Sequence, residues 1–372
     1  VKKFTYSVIL ILNGVFAMGL LISYLAPVIN PAKLIVPALF GLAYPYLLVI
    51  NLAFVSYWLI RLRREILISL VVILAGWNHM NNLIPLNIRK HEIGEQAAYP
   101  RLFKVLSYNV RGFDLYQWTH DPGTRNKILD FIEEQGPDII CFQEFFTSPK
   151  KGETRAEISV QLNQFPEMAV YYIGDPANRN GSGIATYSRF PIIRHSRIPF
   201  NSPSNAAMYT DMLIRDDTVR VFNIHLQSIR FYKENYAFMD TVRFKYSSEQ
   251  VQEIKSIGSR LKTAFALRAE QASMIAGYIR NSPYPVIVAG DFNDTPQSFA
   301  YRKIRKGLHD AFRKAGRGFG NTYAGEMPSF RIDYIMYSDP MIPYQCRRIK
   351  TGYSDHFPLT TWLYLPETLS AE

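Results

Sequence analysis

The stretch "PVIVAGDFNDTP", Pro285–Pro296, opens as a sheet strand and closes as something else. Val286, Ile287, Val288 and Ala289 form a short continuous apolar run, the pattern of a strand buried on both faces. Gly290, Asp291, Phe292, Asn293 and Asp294 follow, crowding two carboxylates and an amide at the strand's end. A tight turn is one reading, because Gly, Asn and Asp are common turn residues. A functional site is the other, since burying a charge is costly unless something pairs with it.

The surrounding chain repeats the pattern. "LFKVLSYNVRG", Leu102–Gly112, reads as a strand ending in Asn109, and "PDIICFQE" as a buried strand ending in Gln143 and Glu144. "VYYIG" and "GIATYSRFPII" read as further strands, and "AMYTDMLIRDDTVRVFNIHLQS" as a hairpin turning at Asp216–Asp217 with His225 at its far end. Helical segments are expected at Thr124–Gln135 and Glu249–Ile279, and "RIDYIMYS" and "YSDHFPLTTWLYL" close the domain. Irregular alternation of strands and helices indicates an α/β domain with mixed sheets, and the chain shows no internal repeat or low-complexity segment.

Strand after strand thus leads to a polar, metal-competent group: Asn109, Glu144, His225, Asp291 with Asn293, Asp333, and Asp355 with His356. Each has an ordinary structural reading alone: Glu144 as a helix-capping carboxylate, His225 as a core histidine, Asp333 as the partner of nearby Arg331. Together, at one edge of a sheet or sandwich, they can line one cleft. Carboxylates and an amide suit a hard divalent cation, Mg²⁺ or Mn²⁺. Histidines beside them suit proton transfer or charge stabilisation. That equipment fits phosphoester hydrolysis, in which a metal neutralises phosphate charge and a carboxylate orients water.

The ordered set "YNVRG", "CFQE", "GIATYSRFPI", "NIHLQS", "AGDFND", "FRIDYIMY" and "YSDHFP" resembles the endonuclease/exonuclease/phosphatase superfamily over residues 101–366. The chain looks like a membrane-anchored, bacterial-type member of that DNase I-like group. The resemblance implies a two-sheet mixed β-sandwich flanked by helices, with the cleft at one sandwich edge. It implies Glu144 as a Mg²⁺ ligand with Asn109 and Asp355 close to the metal, and Asp291 and Asn293 as the groups orienting water and phosphate. It also implies that Asp333 holds His356 in the right tautomer and raises its pKa. His225 would contact the phosphate or protonate the leaving oxygen. His225 resembles the histidine of the DNase I-like, sphingomyelinase and 5-phosphatase branches, whereas abasic-site enzymes tend to carry tyrosine there. An extracytoplasmic nuclease is the leading expectation for substrate, and a lipid head-group phosphodiesterase or phosphatase the alternative. A scaffold that kept the fold without the chemistry would usually lack one of Glu144, His225, Asp291 or His356, and all four are present.

Composition divides the chain. The first 100 residues hold 8 Lys/Arg and 3 Glu, which leaves 34 of the chain's 42 basic and 28 of its 31 acidic residues in the remainder. That surplus of six permits anionic substrates or lipid surfaces without requiring either. Phe4–Ile29 and Leu34–Ile60 each contain an uncharged stretch long enough for a membrane helix of about 20 residues. A third apolar run begins at Ile66 and turns polar at Asn78, His79, Asn81 and Asn82. A cleaved signal peptide fits poorly, because its apolar region is shorter and no second span follows it.

Lys2 and Lys3 precede the first run and Arg61, Arg63 and Arg64 separate the second from the third, while Lys33 alone lies between the first two. By the positive-inside rule the N-terminus and the arginine loop are cytoplasmic. Three spans then put the domain after residue 86 outside the cytoplasm, although Arg89 and Lys90 run against this. The expected organisation is a helical transmembrane region at 1–86, a linker at 87–100 and the catalytic domain at 101–366. Cys141 and Cys346 form no CxxC pattern and imply neither a disulfide framework nor a zinc site. The segment Gln227–Lys245 interleaves Arg/Lys with Phe/Tyr, which suits stacked bases or a lipid interface equally. No protein partner is implied.

Overall fold

The computed structural model describes residues 2–85, 87, 101–148, 154–174, 180–200, 202–229, 248–325 and 329–367. Arg89, Lys90, most of the expected 87–100 linker and residues 230–245 of the aromatic–basic segment lie outside the described residues.

The N-terminal region is helical: α1 Lys2–Ser23, α2 Val36–Leu42, α3 Tyr44–Ile60, α4 Ile66–Ala75 and α5 Trp77–Leu83. At 1.5 Å per residue the 22 residues of α1 measure about 33 Å, enough for a hydrocarbon core. α1 is the helix long and apolar enough to cross alone; α2–α3 and α4–α5 are each bent by 68° and count as crossings only as broken spans. The third apolar run is therefore interrupted, at Gly76. Apolar side chains such as Ile11, Val15, Val49 and Val71 face outward. Polar groups turn inward: Asn13 donates to Ser69 Oγ (2.6 Å), Ser69 to Asn51 Oδ1 (2.7 Å) and Trp58 to Asn13 Oδ1 (2.8 Å). Apolar surface outside and satisfied polar contacts inside are compatible with a membrane bundle.

The rest of the chain is a sandwich of two six-stranded mixed sheets. One sheet runs β11-β12-β1-β2-β4-β3, from β1 Leu102–Asn109, β2 Ile139–Thr147, β3 Glu167–Tyr172, β4 Gly181–Ser188, β11 Ile342–Arg348 and β12 Leu359–Tyr364. The other runs β5-β6-β7-β8-β10-β9, from β5 Ile192–Ile198, β6 Ala206–Ile214, β7 Asp217–His225, β8 Val286–Asp291, β9 His309–Asp310 and β10 Asp333–Tyr337. The helices among them are α6 Arg111–Asp114, α7 Thr124–Gln135, α8 Arg155–Gln161, α9 Ser248–Arg280, α10 Phe299–Arg305 and α11 Ala311–Ala315.

Strand β8 shows why the opening apolar run does not alternate with polar residues. Ile287 and Ala289 point into the core between the sheets, with Val105, Cys141, Val221 and Ile335. Val286 and Val288 point the other way, onto Ala272, Ile275 and Ile279 of α9. Successive side chains take opposite faces, and both faces are covered. The first sheet is covered likewise by Ile128, Leu129 and Ile132 of α7.

Two expected elements are corrected. "GIATYSRFPII" is not one run in one sheet: β4 and β5 belong to different sheets, and the chain crosses between them at Arg189–Pro191. The β6–β7 hairpin turns at Arg215–Asp216, with Arg215 at φ 61°, and Asp217 already pairs with Ile214.

The N-terminal helices pack against this sandwich. Gln297 Nε2 lies 3.3 Å from Ser23 O and 2.8 Å from His79 Nδ1, and Arg331 donates to Asn82 O at 2.8 Å. These contacts all sit at one end of the bundle. At the other end the Tyr6 hydroxyl donates to Glu65, beside the arginine loop.

Candidate active site

Strand pairing assembles half the site. His225, Asp291 and Asp333 stand side by side on β7, β8 and β10, because His225 pairs with Asp291 and Asp291 with Asp333. Asp333 begins its strand rather than ending it; β10 runs antiparallel to β8, so the start of one and the end of the other share an edge. Gly290 is required just before Asp291, since a Cβ there would sit 2.0 Å from Ile224 O.

The opposing sheet supplies Asn109, the last residue of β1, and Glu144 on β2. Glu144 sits at a register shift between Phe142 and Phe145 with φ 49°, so a bulge aims its carboxylate at the cleft. Asn109 joins the sheets, donating through Nδ2 to Glu144 Oε1 (3.3 Å) and Asp291 Oδ2 (3.1 Å). Its Oδ1 accepts from the Arg111 amide at 3.1 Å, so the amide would have to turn over before that oxygen met a cation. Asp355 and His356 arrive from the loop before β12, and Asp355 Oδ2 lies 3.4 Å from Arg111. All eight residues singled out from sequence thus meet at one sandwich edge.

The charges are arranged unequally. Burial pushes Asp291 up to about 6, reinforced by Asp333 and opposed by His356 and His225. Asn293 steadies it from its own turn, donating from N (2.7 Å) and Nδ2 (3.1 Å). Burial pulls the His356 imidazole down, yet Asp333 and Asp291 outweigh it and hold the ring well above its ordinary value. Asp333 Oδ2 lies 2.9 Å from His356 Nδ1, which leaves Nε2 facing Asp291 at 3.8 Å. Arg331, whose pairing with Asp333 was the ordinary structural alternative, pairs instead with Asp310 at 2.7 Å. His225 Nε2 lies 3.7 Å from both Glu144 Oε1 and Asp291 Oδ2.

Two groupings can be weighed as cation sites. Asp291, Asp333 and His356 bring ligand atoms within 4.8 Å of one another, and Asp333 Oδ1 is buried with no hydrogen-bond partner among the described residues. In that grouping, however, Asp333 Oδ2 is already engaged by His356 Nδ1. Glu144 is the better base for a site: its carboxylate stands near that of Asp355, so a cation would relieve the repulsion, and 40% of its side chain remains open to admit one. The donor set of Glu144 with Asp355 fits a hard divalent ion.

Arg268 was not singled out from sequence. It is 1% exposed, lies 3.1 Å from Asp294 and donates to the Asn293 carbonyl, fixing the loop that carries Asn293. The signal was present: Phe265, Arg268, Ala272, Ile275 and Ile279 recur at helical spacing, so a charge occupies the core-facing stripe of α9.

Residues 106–356 match the sequence model described as the Endonuclease/Exonuclease/phosphatase family. The chain belongs to that family. It is accordingly a phosphoester hydrolase, of a family that uses divalent metals. Residues 6–83 separately match a family described only as a domain of unknown function.

An uncharacterized protein of Escherichia coli K12, YbhP, is 32% identical over 112 residues, 29% of this chain and 41% of that protein. The match thus spans less than half the length of that curated relative. Among solved structures, an endonuclease/exonuclease/phosphatase family protein from Bacteroides thetaiotaomicron superposes with TM-score 0.52 at 17% identity, covering 70% of this chain and 94% of that one. A Beutenbergia cavernae endonuclease/exonuclease/phosphatase gives 0.51 at 16%, covering 71% and 72%. A humanized D. rerio TDP2 gives 0.51 at 16%, covering 71% and 100%. At these identities the likeness shows the shared fold.

Proposed function

We propose that this chain is a Mg²⁺- or Mn²⁺-dependent phosphodiesterase, held at the membrane by its N-terminal helices, that hydrolyses a lipid head-group phosphoester. The carrying observation is the composition of the cleft. Glu144, Asp291, Asn293, Asp355 and His356 line a cavity of about 350 Å³ together with the apolar Leu42, Ile257, Leu261 and Phe265. Leu42 ends α2, so the N-terminal region itself builds part of the wall. A polar reacting group beside an apolar wall suits a phosphoester with a hydrocarbon portion. Among the described lining residues Arg268 is the basic one, and it is already tied to Asp294. The cleft therefore favours lipid over nucleic acid, reversing the order expected from sequence.

In this reading Glu144 and Asp355, with Asn109 beside them, hold the cation, which neutralises phosphate charge when bound. Asp291, oriented by Asn293 and Asn109, takes the proton of the attacking water as its oxygen bonds to phosphorus. His356, kept protonated by Asp333, stabilises the charge that develops on the phosphoryl oxygens. The ester P–O bond breaks and His225 protonates the departing oxygen.

The test offers a phospholipid panel and plasmid DNA to full-length protein in nanodiscs. Mg²⁺-dependent head-group release, abolished by chelation, with plasmid left intact, is the expected result. Plasmid cleavage with intact lipid would restore the nuclease reading. Inactivity on both, and on bis-p-nitrophenyl phosphate, would favour the scaffold.

The catalytic domain is proposed to lie outside the cytoplasm. It sits at the end of the bundle away from Glu65 and the arginine loop, which the charge rule assigns to the cytoplasm. A C-terminal alkaline phosphatase fusion should be active and a C-terminal fluorescent-protein fusion dark; the opposite pair of results would reverse the orientation.

A further inference from the structure

A second polar cavity, of about 470 Å³, lies where the N-terminal helices meet the sandwich, apart from the cleft just described. Tyr24, Asn78 and Asn82 line it from the helical side, and Arg302, Arg305 and Arg313 from the sandwich side. Arg302 and Arg305 come from the last turn of α10 and Arg313 from α11. No carboxylate is among the lining residues, and none of the three guanidinium groups forms an ion pair among the described residues. The buried acid nearest in sequence, Asp310, is engaged by Arg331. Three like charges drawn toward one groove repel one another, so the arrangement calls for an anion.

The groove's place at the domain-side ends of the helices points to a lipid as the anion's source. Its helical wall includes Tyr24, next after α1, and Asn78, next after Trp77. Trp77 is 53% exposed and Tyr46, in the first turn of α3, is 50% exposed. Amphipathic rings at the domain-side ends of spans mark the level of the lipid head groups. The loops of the helical region on that side carry Lys33 as their single basic residue between 24 and 85, apart from the arginine loop at the far end. The sandwich thus supplies positive charge at head-group depth that the spans lack.

We propose that Arg302, Arg305 and Arg313 form a binding site for the phosphate of an anionic phospholipid, seated between the helical region and the catalytic domain. The guanidinium groups hold the phosphate, Asn78 and Asn82 offer hydrogen bonds, and the acyl chains follow the outer surface of the bundle. This rests on the membrane reading of the N-terminal helices and is independent of which phosphoester is hydrolysed.

The test uses the full chain purified in mild detergent and titrated with phosphatidylglycerol or phosphatidylcholine, retained lipid being counted by native mass spectrometry. Phosphatidylglycerol should be retained in preference to phosphatidylcholine. The R302Q/R305Q/R313Q variant should lose that affinity by on the order of 10²-fold, at about fivefold per charge. The R302K/R305K/R313K variant, which keeps the charge, should retain most of it, separating lost charge from lost folding. Equal retention of the two lipids, or undiminished retention by the glutamine variant, would overturn the site. Displacement by an equal concentration of inorganic phosphate would make it a free-phosphate site and overturn the lipid assignment. A chain that stays monodisperse without detergent would instead fail the membrane reading itself.

Discussion

His356→Ala and Asp333→Asn are each expected to lower kcat by on the order of 10²-fold or more, and the double variant to be little worse than His356→Ala alone. The ground is geometric: Asp333 Oδ2 lies 2.9 Å from His356 Nδ1, so in the proposed mechanism it acts through that ring. Groups that work as one unit are non-additive, because removing either disables both. Both single variants should lose the same limb of the pH–rate profile, measured on bis-p-nitrophenyl phosphate with full-length protein. Losses that multiply in the double variant would separate the two residues and return Asp333 to a packing role.

The second large effect concerns stability. Asp310→Asn should destabilise the protein by about 3–5 kcal/mol, because it strands a buried guanidinium. Arg331 and Asp310 are both fully buried at 2.7 Å, and Asp310 also accepts from Tyr301 (2.7 Å) and the Phe312 amide (2.9 Å). Replacing the pair by Arg331→Met with Asp310→Leu should recover much of the loss, since no unpaired charge remains. Denaturant unfolding in detergent measures both.

Acid adds a sign. Burial alone would raise the Asp310 carboxyl, but Arg331 and its hydrogen bonds hold it below the usual range. Its contribution is therefore full above the unfolded value of about 3.9 and disappears as pH falls through the lower folded value. Wild-type stability should show this acid loss and Asp310→Asn should not. A variant as stable as wild type at neutral pH would show that the buried pair contributes nothing net.

The convergence of the candidate residues was legible in the sequence where a strand ends in a polar group. Asn109, Glu144, His225 and Asp291 sit at strand ends or bulges, so apolar periodicity that broke at a polar residue also located the cleft. Arg268 escaped because it stands in mid-helix, where a lone arginine resembles any solvated residue until the helix's buried stripe is known. The Asp333–His356 pair was legible only through the family resemblance, not from the spacing of the residues themselves. Arg331 is two residues away in sequence, but strand alternation puts residues two apart on one face without making them partners, and His356 is the one that docks.

The sequence by itself determined the mixed α/β class, the polar groups at the strand ends and the apolar N-terminal region, because each rests on local periodicity and residue chemistry that neighbouring positions reveal, while the two-sheet sandwich followed from the ordered motifs of the family. Only the tertiary structure decided which sheet takes β4 and which takes β5, how Asn109 reaches Asp291, and that Leu42 walls the cleft. Those depend on contacts between segments far apart in the chain, such as Gln297 with Ser23 and Arg331 with Asn82. The sandwich selects such pairs by satisfying buried polar groups and filling space, and neither requirement leaves a local pattern.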